Sequence, residues 1–208
     1  MSFVRSGDHI CCLFESDEEH LSIAARYVAE GLRQREHCLY SGASPAILGQ
    51  FRDRLADEGV DIEETVQRGA LTLATAAETH LAADHFDSEW MLRMLSDKLE
   101  TVMNAGFTGL RTCGDMSWLL DAAIGTEHVV IYEAMCTQFF QNSRAVGMCM
   151  YDRARLPPGL IDHALTTHPS LFANGRCAPN HRDRSHHIID THRTAAADQG
   201  PPGTVSPS

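Results

Sequence analysis

The stretch from Gly7 to Gly42 constrains the fold of this chain more than any other part of the sequence. It opens with a short apolar run, His9 to Phe14, whose length and composition predict a buried parallel strand. Ser16 and Glu19 have the spacing of an N-terminal capping box, and an apolar stripe at helical spacing follows them. The run Cys38 to Tyr40 predicts a return strand. Strand, helix and strand in this order predict a βαβ unit with a right-handed crossover.

The same alternation of strand and helix patterns continues along the chain. Apolar runs predict three further strands, at Ala70–Thr75, Phe107–Cys113 and Ala145–Tyr151. A fourth strand is predicted at the edge of the sheet, within Ser170–Cys177. Helical periodicity predicts helices at Ala46–Glu58, from Asp87 or Ser88 to just before Gly106, at Glu127–Phe140 and at Gly159–Thr166. This order predicts an α/β fold, a three-layer sandwich with a mostly parallel central sheet.

Composition bounds the domain organisation and the classes of partner. Large apolar residues become rare from Asn180 onward, which predicts a folded domain over residues 1–179 and a flexible polar tail over residues 180–208. The formal charge of −11 argues against a nucleic-acid groove, because contacts to phosphates need clustered cations. No secretory signal is visible, and no apolar run reaches the ~20 residues of a membrane span. Seven scattered cysteines predict reduced thiols and a cytoplasmic location.

The loop after the first predicted strand argues against a conventional phosphate-loop ATPase. In parallel sheets, ligands lie past the carboxyl ends of the strands, and a nucleotide-binding unit carries a glycine-rich loop with a lysine there. Here that position is Glu15 to Glu19, which has four carboxylates and neither glycine nor lysine. The sole lysine of the chain, Lys98, has no glycine-rich loop beside it. A nucleotide binder that does not hydrolyse its ligand remains an alternative.

Short motifs in a fixed order carry a family resemblance. They are Gly7–Cys11, Gly31-Leu32 with Glu36, Cys38–Tyr40, Gly106-Phe107, Gly109–Arg111, Gly114–Trp118, Tyr132-Glu133, Cys149–Asp152 and Thr167–Pro169. With these motifs the chain resembles the MEDS domain, the sensory domain named for methanogen and methylotroph regulators and the dichloromethane regulator. The resemblance implies a fold similar to the RecA- and KaiC-type ATPases without a functional phosphate loop. Asp115 stands where the family more often has glutamate.

The resemblance also implies a function. It implies a non-catalytic sensor of small molecules, proposed to be simple hydrocarbon derivatives, in prokaryotic signal transduction or transcription control. Such domains usually adjoin a DNA-binding or kinase module, whereas a polar tail follows here. We therefore expect the output to pass through a partner protein, a kinase or a transcription regulator, and a homodimer is a further arrangement that the sequence allows. The ligand and any cofactor are not identified by the sequence.

The ligand is expected at the crest formed by the carboxyl ends of the strands. Residues after three predicted strands would surround it, namely Phe14-Glu15-Ser16, Asp115 with Trp118, and Tyr151-Asp152. The three aromatic residues lie at or just after strand ends, which suits a pocket, although aromatic residues at such spacing also form cores. Substituting Trp118 by alanine is expected to weaken ligand binding more than folding.

Two further sets of residues are candidates. His9, Cys11, Cys149 and His168 could form a metal or redox set, but no CxxC pair is present and buried cysteines often serve as small hydrophobic residues. Arg111 and Glu133 are charges within apolar elements, where they either pair with each other or orient a polar ligand. The predicted ligand-binding residues are therefore His9, Cys11, Phe14, Glu15, Ser16, Arg111, Asp115, Trp118, Glu133, Tyr151, Asp152 and His168. A metal- or redox-responsive Cys/His protein remains an alternative function.

Overall fold

A seven-stranded sheet forms the middle layer of the protein. The computed structural model describes residues 4–81, 86–120 and 126–198. The strands are β1 (His9–Phe14), β2 (His37–Gly42), β3 (Leu71–Thr75), β4 (Leu110–Asp115), β5 (Ala145–Asp152), β6 (Ser170–Ala173) and β7 (Arg176–Pro179). Their spatial order is β3-β2-β4-β5-β1-β6-β7, and all neighbours are parallel except the antiparallel pair β6 and β7.

The described ranges contain seven α-helices, which accompany the sheet. They are α1 (Asp17–Arg33), α2 (Pro45–Asp57), α3 (Ile62–Gln67), α4 (Ser88–Asn104), α5 (Thr126–Gln141), α6 (Pro158–Thr167) and α7 (Ser185–Asp198). Helices α1 and α2 pack on one face of the sheet, and α4, α5 and α6 pack on the other. No helix of the described ranges is long and apolar enough to cross a membrane. The predicted α/β sandwich with a mostly parallel sheet is confirmed.

Capping residues start the helices where the sequence pattern places them. The side chains of Ser16, Ser44 and Asp87 each accept a hydrogen bond from the backbone N–H three residues later, at the starts of α1, α2 and α4. These bonds satisfy backbone donors that a helix start otherwise leaves free. The capping box of α1 forms only in part, because the carboxylate of Glu19 accepts from the N–H of Glu15 rather than from that of Ser16.

Two strand predictions differ from the structure by more than two residues. Strand β4 begins at Leu110 rather than Phe107, because the N–H and hydroxyl of Thr108 bond to the carbonyls that follow α1 instead of to a strand. The predicted edge strand is a hairpin of β6 and β7, since Asn174 and Gly175 have positive φ and reverse the chain.

The predicted flexible tail is wrong for residues 180–198. Helix α7 packs against α5, and its Ile189 is buried. The side-chain amide of Asn180 donates to the carbonyls of Leu165 and His168, each at 2.7 Å. The carboxylate of Asp183 accepts from the N–H and hydroxyl of Ser185, which starts α7. These contacts order a segment of low overall hydrophobicity because they satisfy its polar groups locally. Residues 199–208 lie outside the described part of the chain.

Candidate functional site

The polar residues predicted at the crest hold the local backbone. Ser16 caps α1, and the exposed Glu15 lies 3.7 Å from Arg153. The buried carboxylate of Asp115 accepts from the N–H groups of Ala43 and Ser117, at 3.2 and 2.9 Å. Asp152 accepts from two backbone N–H groups of the following turn and pairs with the Arg155 side chain. Because these carboxylates already have partners, the crest offers few free polar groups to a ligand.

The three aromatic residues predicted to line one pocket lie on different faces of the sheet. Phe14 packs on the α1 face, where its ring stacks on His20 at 4.6 Å. Trp118 and Tyr151 lie on the opposite face, and Trp118 stacks on His80 at 4.9 Å. The expectation of a shared pocket is therefore wrong for Phe14, because strand residues alternate between faces.

Arg111 is part of a structural pair on the α1 face. Its Nε lies 2.5 Å from an Oε of Glu36, its guanidinium stands 4.6 Å from the ring centre of Tyr27, and it also donates to Gln34. Gly31 makes room for it, since a Cβ there would lie 2.5 Å from the Arg111 side chain. Arg111 therefore pairs with Glu36 and not with Glu133, so the expected Arg111–Glu133 pair is wrong. The structure also does not place Arg111 beside the other predicted ligand-site residues.

A buried cluster on the other face unites most of the remaining predicted residues. His9 comes from β1, Cys149 and Tyr151 from β5, Glu133 from α5, and His168 from the residue after α6. Parallel pairing aligns His9 with Gly147 and Cys11 with Cys149, so these side chains share a face. Gly147 leaves space there for a ring of α5, since a Cβ on Gly147 would lie 2.3 Å from Phe140. We call His9, Glu133, Cys149 and His168 the Glu133 cluster.

The ligand-type atoms of the Glu133 cluster converge on one point. One carboxylate oxygen of Glu133, Oε2, lies 3.3 Å from Nε2 of His9, 3.4 Å from Nε2 of His168 and 3.6 Å from Sγ of Cys149. Sγ of Cys149 also lies 3.5 Å from Nε2 of His9. All four atoms lie within 4.8 Å of one another. Three residues of the predicted metal set thus meet, and Glu133 takes the place expected for Cys11, which packs in an apolar cluster.

Outer hydrogen bonds fix how these side chains face one another. The Tyr151 hydroxyl donates to Oε1 of Glu133 at 2.8 Å, which leaves Oε2 directed into the cluster. Nδ1 of His168 lies 2.8 Å from the carbonyl of Ala164, which can only accept, so this nitrogen carries the proton. The Thr137 hydroxyl donates to the carbonyl of Thr167, so it accepts from Nδ1 of His9 at 2.8 Å.

Burial sets the protonation of the cluster. Desolvation lowers the pKa of His9 to about 3 and that of His168 to about 3, so both rings are neutral near pH 7. Burial, with the nearby Glu133 charge, raises the pKa of the Cys149 thiol well above its usual value. With Nδ1 protonated, each histidine turns a bare Nε2 lone pair toward the carboxylate. Nε2 of His168 finds no hydrogen-bond partner among the described residues.

An internal cavity adjoins the cluster. It has a volume of about 40 Å³ and lies between α4, α5 and the sheet. Its wall is mostly apolar, with Leu95, Tyr132 and Cys136 among its members, and its polar groups include His80 and Cys149. Cys149 therefore belongs both to the cavity wall and to the Glu133 cluster.

A wider surface groove of about 750 Å³ runs beside α1 and the β6–β7 hairpin. Glu15 lines it, but so do Arg26, Glu30 and Arg33, which form solvent-exposed ion pairs with neighbouring side chains. Exposed pairs of this kind are typical of a solvated surface. The smaller cavity and the Glu133 cluster are the stronger candidates, because most of their polar groups are buried and those of the cluster converge.

Sequence reasoning missed His80 and Thr137. His80 falls in a segment of mixed pattern whose residues 82–85 lie outside the described ranges, and nothing in its spacing marks it. Thr137 follows Glu133 by four residues, which places both on one face of α5, and this spacing was an available signal.

Comparisons with known structures show the fold. Flagellar accessory protein FlaH from Methanocaldococcus jannaschii is similar over 84% of this chain and 76% of its own, with 13% identity and a TM-score of 0.55. A KaiC-like protein from Pyrococcus horikoshii OT3 is similar over 80% of this chain and 70% of its own, with 10% identity and a TM-score of 0.55. The predicted RecA/KaiC-like architecture is confirmed. No curated protein matches.

The family follows from a second comparison, which confirms the resemblance. The model of the family described as MEDS, MEthanogen/methylotroph, DcmR Sensory domain, matches residues 8–169 and so spans every residue of the Glu133 cluster. The chain belongs to the MEDS family of sensory domains.

Proposed function

We propose that this chain is a regulatory domain that senses a small, largely apolar molecule in the internal cavity between α4, α5 and the sheet. The observation that carries the proposal is the apolar cavity of about 40 Å³ with Cys149 and His80 in its wall. A cavity of roughly 10–15 Å³ holds one water molecule, so a cavity of this size suits a ligand of a few non-hydrogen atoms. Drug-sized ligands need pockets of roughly 300–1,000 Å³.

This proposal moves the ligand from the strand crest to the interior. The crest carboxylates of Asp115 and Asp152 are occupied by backbone N–H groups, whereas the cavity has an apolar wall with a few polar groups. Membership of a sensory family supports a binding role rather than a catalytic one. The connection between β1 and α1 has only two residues, Glu15 and Ser16, which is too short to wrap around a phosphate.

The output is part of the same proposal. Helices α4 and α5 both contribute to the cavity wall, so a ligand that fits one arrangement of them better than another shifts their equilibrium. A partner protein, either a kinase or a transcription regulator, then recognises the favoured arrangement. The cytoplasmic location and the homodimer predicted from the sequence stay predictions.

A cavity-filling substitution tests the proposal. We expect alcohols and chloroalkanes of one to three carbons, added as a panel, to include a member that raises the melting temperature of the wild-type chain with increasing concentration. Leu95→Phe places extra carbon in the cavity and is expected to abolish that shift. Leu92→Phe is the matched control, because Leu92 lies on the same helix but not in the cavity wall, and it is expected to keep the shift. A panel without any shift, or an equal shift in Leu95→Phe, contradicts the proposal.

A further inference from the structure

We propose that His9, Glu133, Cys149 and His168 bind one divalent transition-metal ion of intermediate softness, with Zn²⁺ as the reference ion. This site does not depend on the cavity ligand, because it follows from the convergence of four ligand atoms inside the protein. The cluster lies between β1, β5, α5 and the end of α6, so distant parts of the sequence hold it from several sides.

The separations of the ligand atoms are those of a tetrahedral metal site. Bonds of about 2.0–2.1 Å to nitrogen and oxygen and about 2.3 Å to sulfur place nitrogen and oxygen ligands about 3.3–3.4 Å apart, and sulfur about 3.5–3.6 Å from either. The cluster has 3.3 and 3.4 Å between Oε2 of Glu133 and the two imidazole nitrogens. Sγ of Cys149 lies 3.5 Å from Nε2 of His9 and 3.6 Å from Oε2 of Glu133. Four of the six edges of the tetrahedron therefore match.

The cluster has too few protons to satisfy its acceptors without a cation. Nε2 of His9, Nε2 of His168 and Oε2 of Glu133 all present lone pairs, and the thiol of Cys149 is the one group among these four residues that can donate a proton inward. His168 is fully buried, and its Nε2 has no partner among the described residues. A buried acceptor without a donor costs free energy. A metal ion at the centre would bond to all four atoms at once.

The bonds around the cluster are those that support metal ligands. Metal-bound histidines usually donate their other N–H to a carbonyl, carboxylate or hydroxyl, which fixes the tautomer. Here Nδ1 of His168 donates to the carbonyl of Ala164, and Nδ1 of His9 donates to Thr137. Tyr151 holds the second oxygen of Glu133. Each of the three nitrogen and oxygen ligands thus has an outer partner.

Charge and ligand type restrict the metal. Binding removes the proton from the Cys149 thiol and passes it to the solvent, so the ion's two positive charges meet one thiolate and one carboxylate, and the site becomes neutral. Mg²⁺ and Ca²⁺ prefer shells of oxygen atoms, whereas imidazole and thiolate favour Zn²⁺ and its neighbours. Four protein ligands fill a tetrahedral shell, which is typical of a structural or sensing site rather than a hydrolytic one.

Cobalt substitution tests the site in the 208-residue chain. After treatment with a chelator, the chain is titrated with Co²⁺. We expect the intense visible bands of tetrahedral Co²⁺ and a near-ultraviolet thiolate-to-cobalt charge-transfer band, both saturating at one ion per chain and lost on addition of Zn²⁺. Co²⁺ bound only by surface histidines gives neither the tetrahedral bands nor the thiolate band. A wild-type titration without these bands overturns the proposal, and it needs no variant.

Three variants test the ligand role of Cys149 and the support that Tyr151 gives to Glu133. Cys149→Ser is expected to lose the charge-transfer band, whereas Cys12→Ser keeps it, because Cys12 is a buried strand cysteine on the opposite face of the sheet. Tyr151→Phe keeps the band and lowers the Co²⁺ affinity about 10- to 100-fold, since it removes an outer partner of Glu133. Circular dichroism checks that each variant is folded. A folded Cys149→Ser chain that retains the thiolate band overturns the assignment, whatever the result of the cavity test.

Discussion

Removing the Glu36 carboxylate should destabilise the protein far more than a surface substitution does, because it leaves the buried guanidinium of Arg111 without its ionic partner. Arg111 is 1% exposed and always charged, and Nε lies 2.5 Å from the Glu36 carboxylate. Loss of one partner of a buried pair costs about 3–5 kcal/mol. Because the Glu36 side chain is 12% exposed, water partly replaces it, so we expect Glu36→Ala to lower the free energy of unfolding by about 3 kcal/mol, the lower end of that range.

A double variant of Glu36 and Arg111 distinguishes the cost of an unpaired buried charge from the cost of lost side-chain packing. Arg111→Met keeps much of the side-chain volume and removes the charge, so Glu36→Ala combined with Arg111→Met is expected to be more stable than Glu36→Ala alone. Urea unfolding followed by circular dichroism measures all three variants. A cost below about 1 kcal/mol for Glu36→Ala, the size of an exposed pair, refutes the reasoning. So does a double variant whose loss equals the sum of the two single losses.

Arg111→Met also tests where the functional site lies. Arg111 packs under α1, on the face of the sheet opposite the cavity and the Glu133 cluster. We therefore expect a folded Arg111→Met chain to keep the cobalt spectrum and the thermal shift of the wild type. Loss of either signal in a chain that is still folded would show that Arg111 contributes to the functional site.

Three further predictions concern packing and pH. Gly147→Ala should lower the free energy of unfolding in urea by about 1–3 kcal/mol, because its Cβ would lie 2.3 Å from Phe140. Gly49→Ala in α2 has open space around it and should stabilise the chain or leave its stability unchanged. Equal effects of the two substitutions would contradict this packing. Burial lowers the pKa of His80 to about 4, below its value of about 6.5 in the unfolded chain, so acid protonates the unfolded state first. The wild type should then lose about 2 kcal/mol more stability than His80→Gln between pH 7 and pH 5, and identical pH profiles of the free energy of unfolding would exclude this contribution. Ile189→Ala should lower the free energy of unfolding by about 2 kcal/mol and with it the melting temperature, because Ile189 is buried. His187 is exposed, so His187→Ala should leave the melting temperature unchanged. Two neutral variants would mean that α7 adds no stability.

The sequence predicts the layers of this fold well because local signals determine them. The apolar run His9–Phe14, the Ser16 cap and the helical stripe after it give β1 and α1 nearly to the residue. Element order then implies the parallel sheet. The segment after Asn180 is not predicted by this reasoning. Single polar contacts and one buried apolar residue, Ile189, order it, and average composition does not reveal them.

The candidate site is less predictable, because it depends on which face each strand residue occupies and on long-range register. His9, Cys149 and His168 are identifiable as candidate ligands by residue type. Cys11 shares the sheet face of His9 and Cys149, and only the position of α5 brings Glu133 into the cluster in its place. The cavity is still harder to predict, since it is a packing defect shared by several elements and no sequence period marks it.

The position of β1 in the sheet governs when the protein can fold. Of the described strands, β1 is synthesised before all the others, and it lies between β5 and β6, which are synthesised much later. The backbone groups of β1 therefore stay unpaired until residues more than 130 positions later have been synthesised, as the pairing of His9 with Gly147 illustrates. Contacts this distant in sequence slow folding and lengthen the time during which an unpaired edge can meet another chain. The nascent protein is accordingly exposed to aggregation through β1 until β5 and β6 have been synthesised.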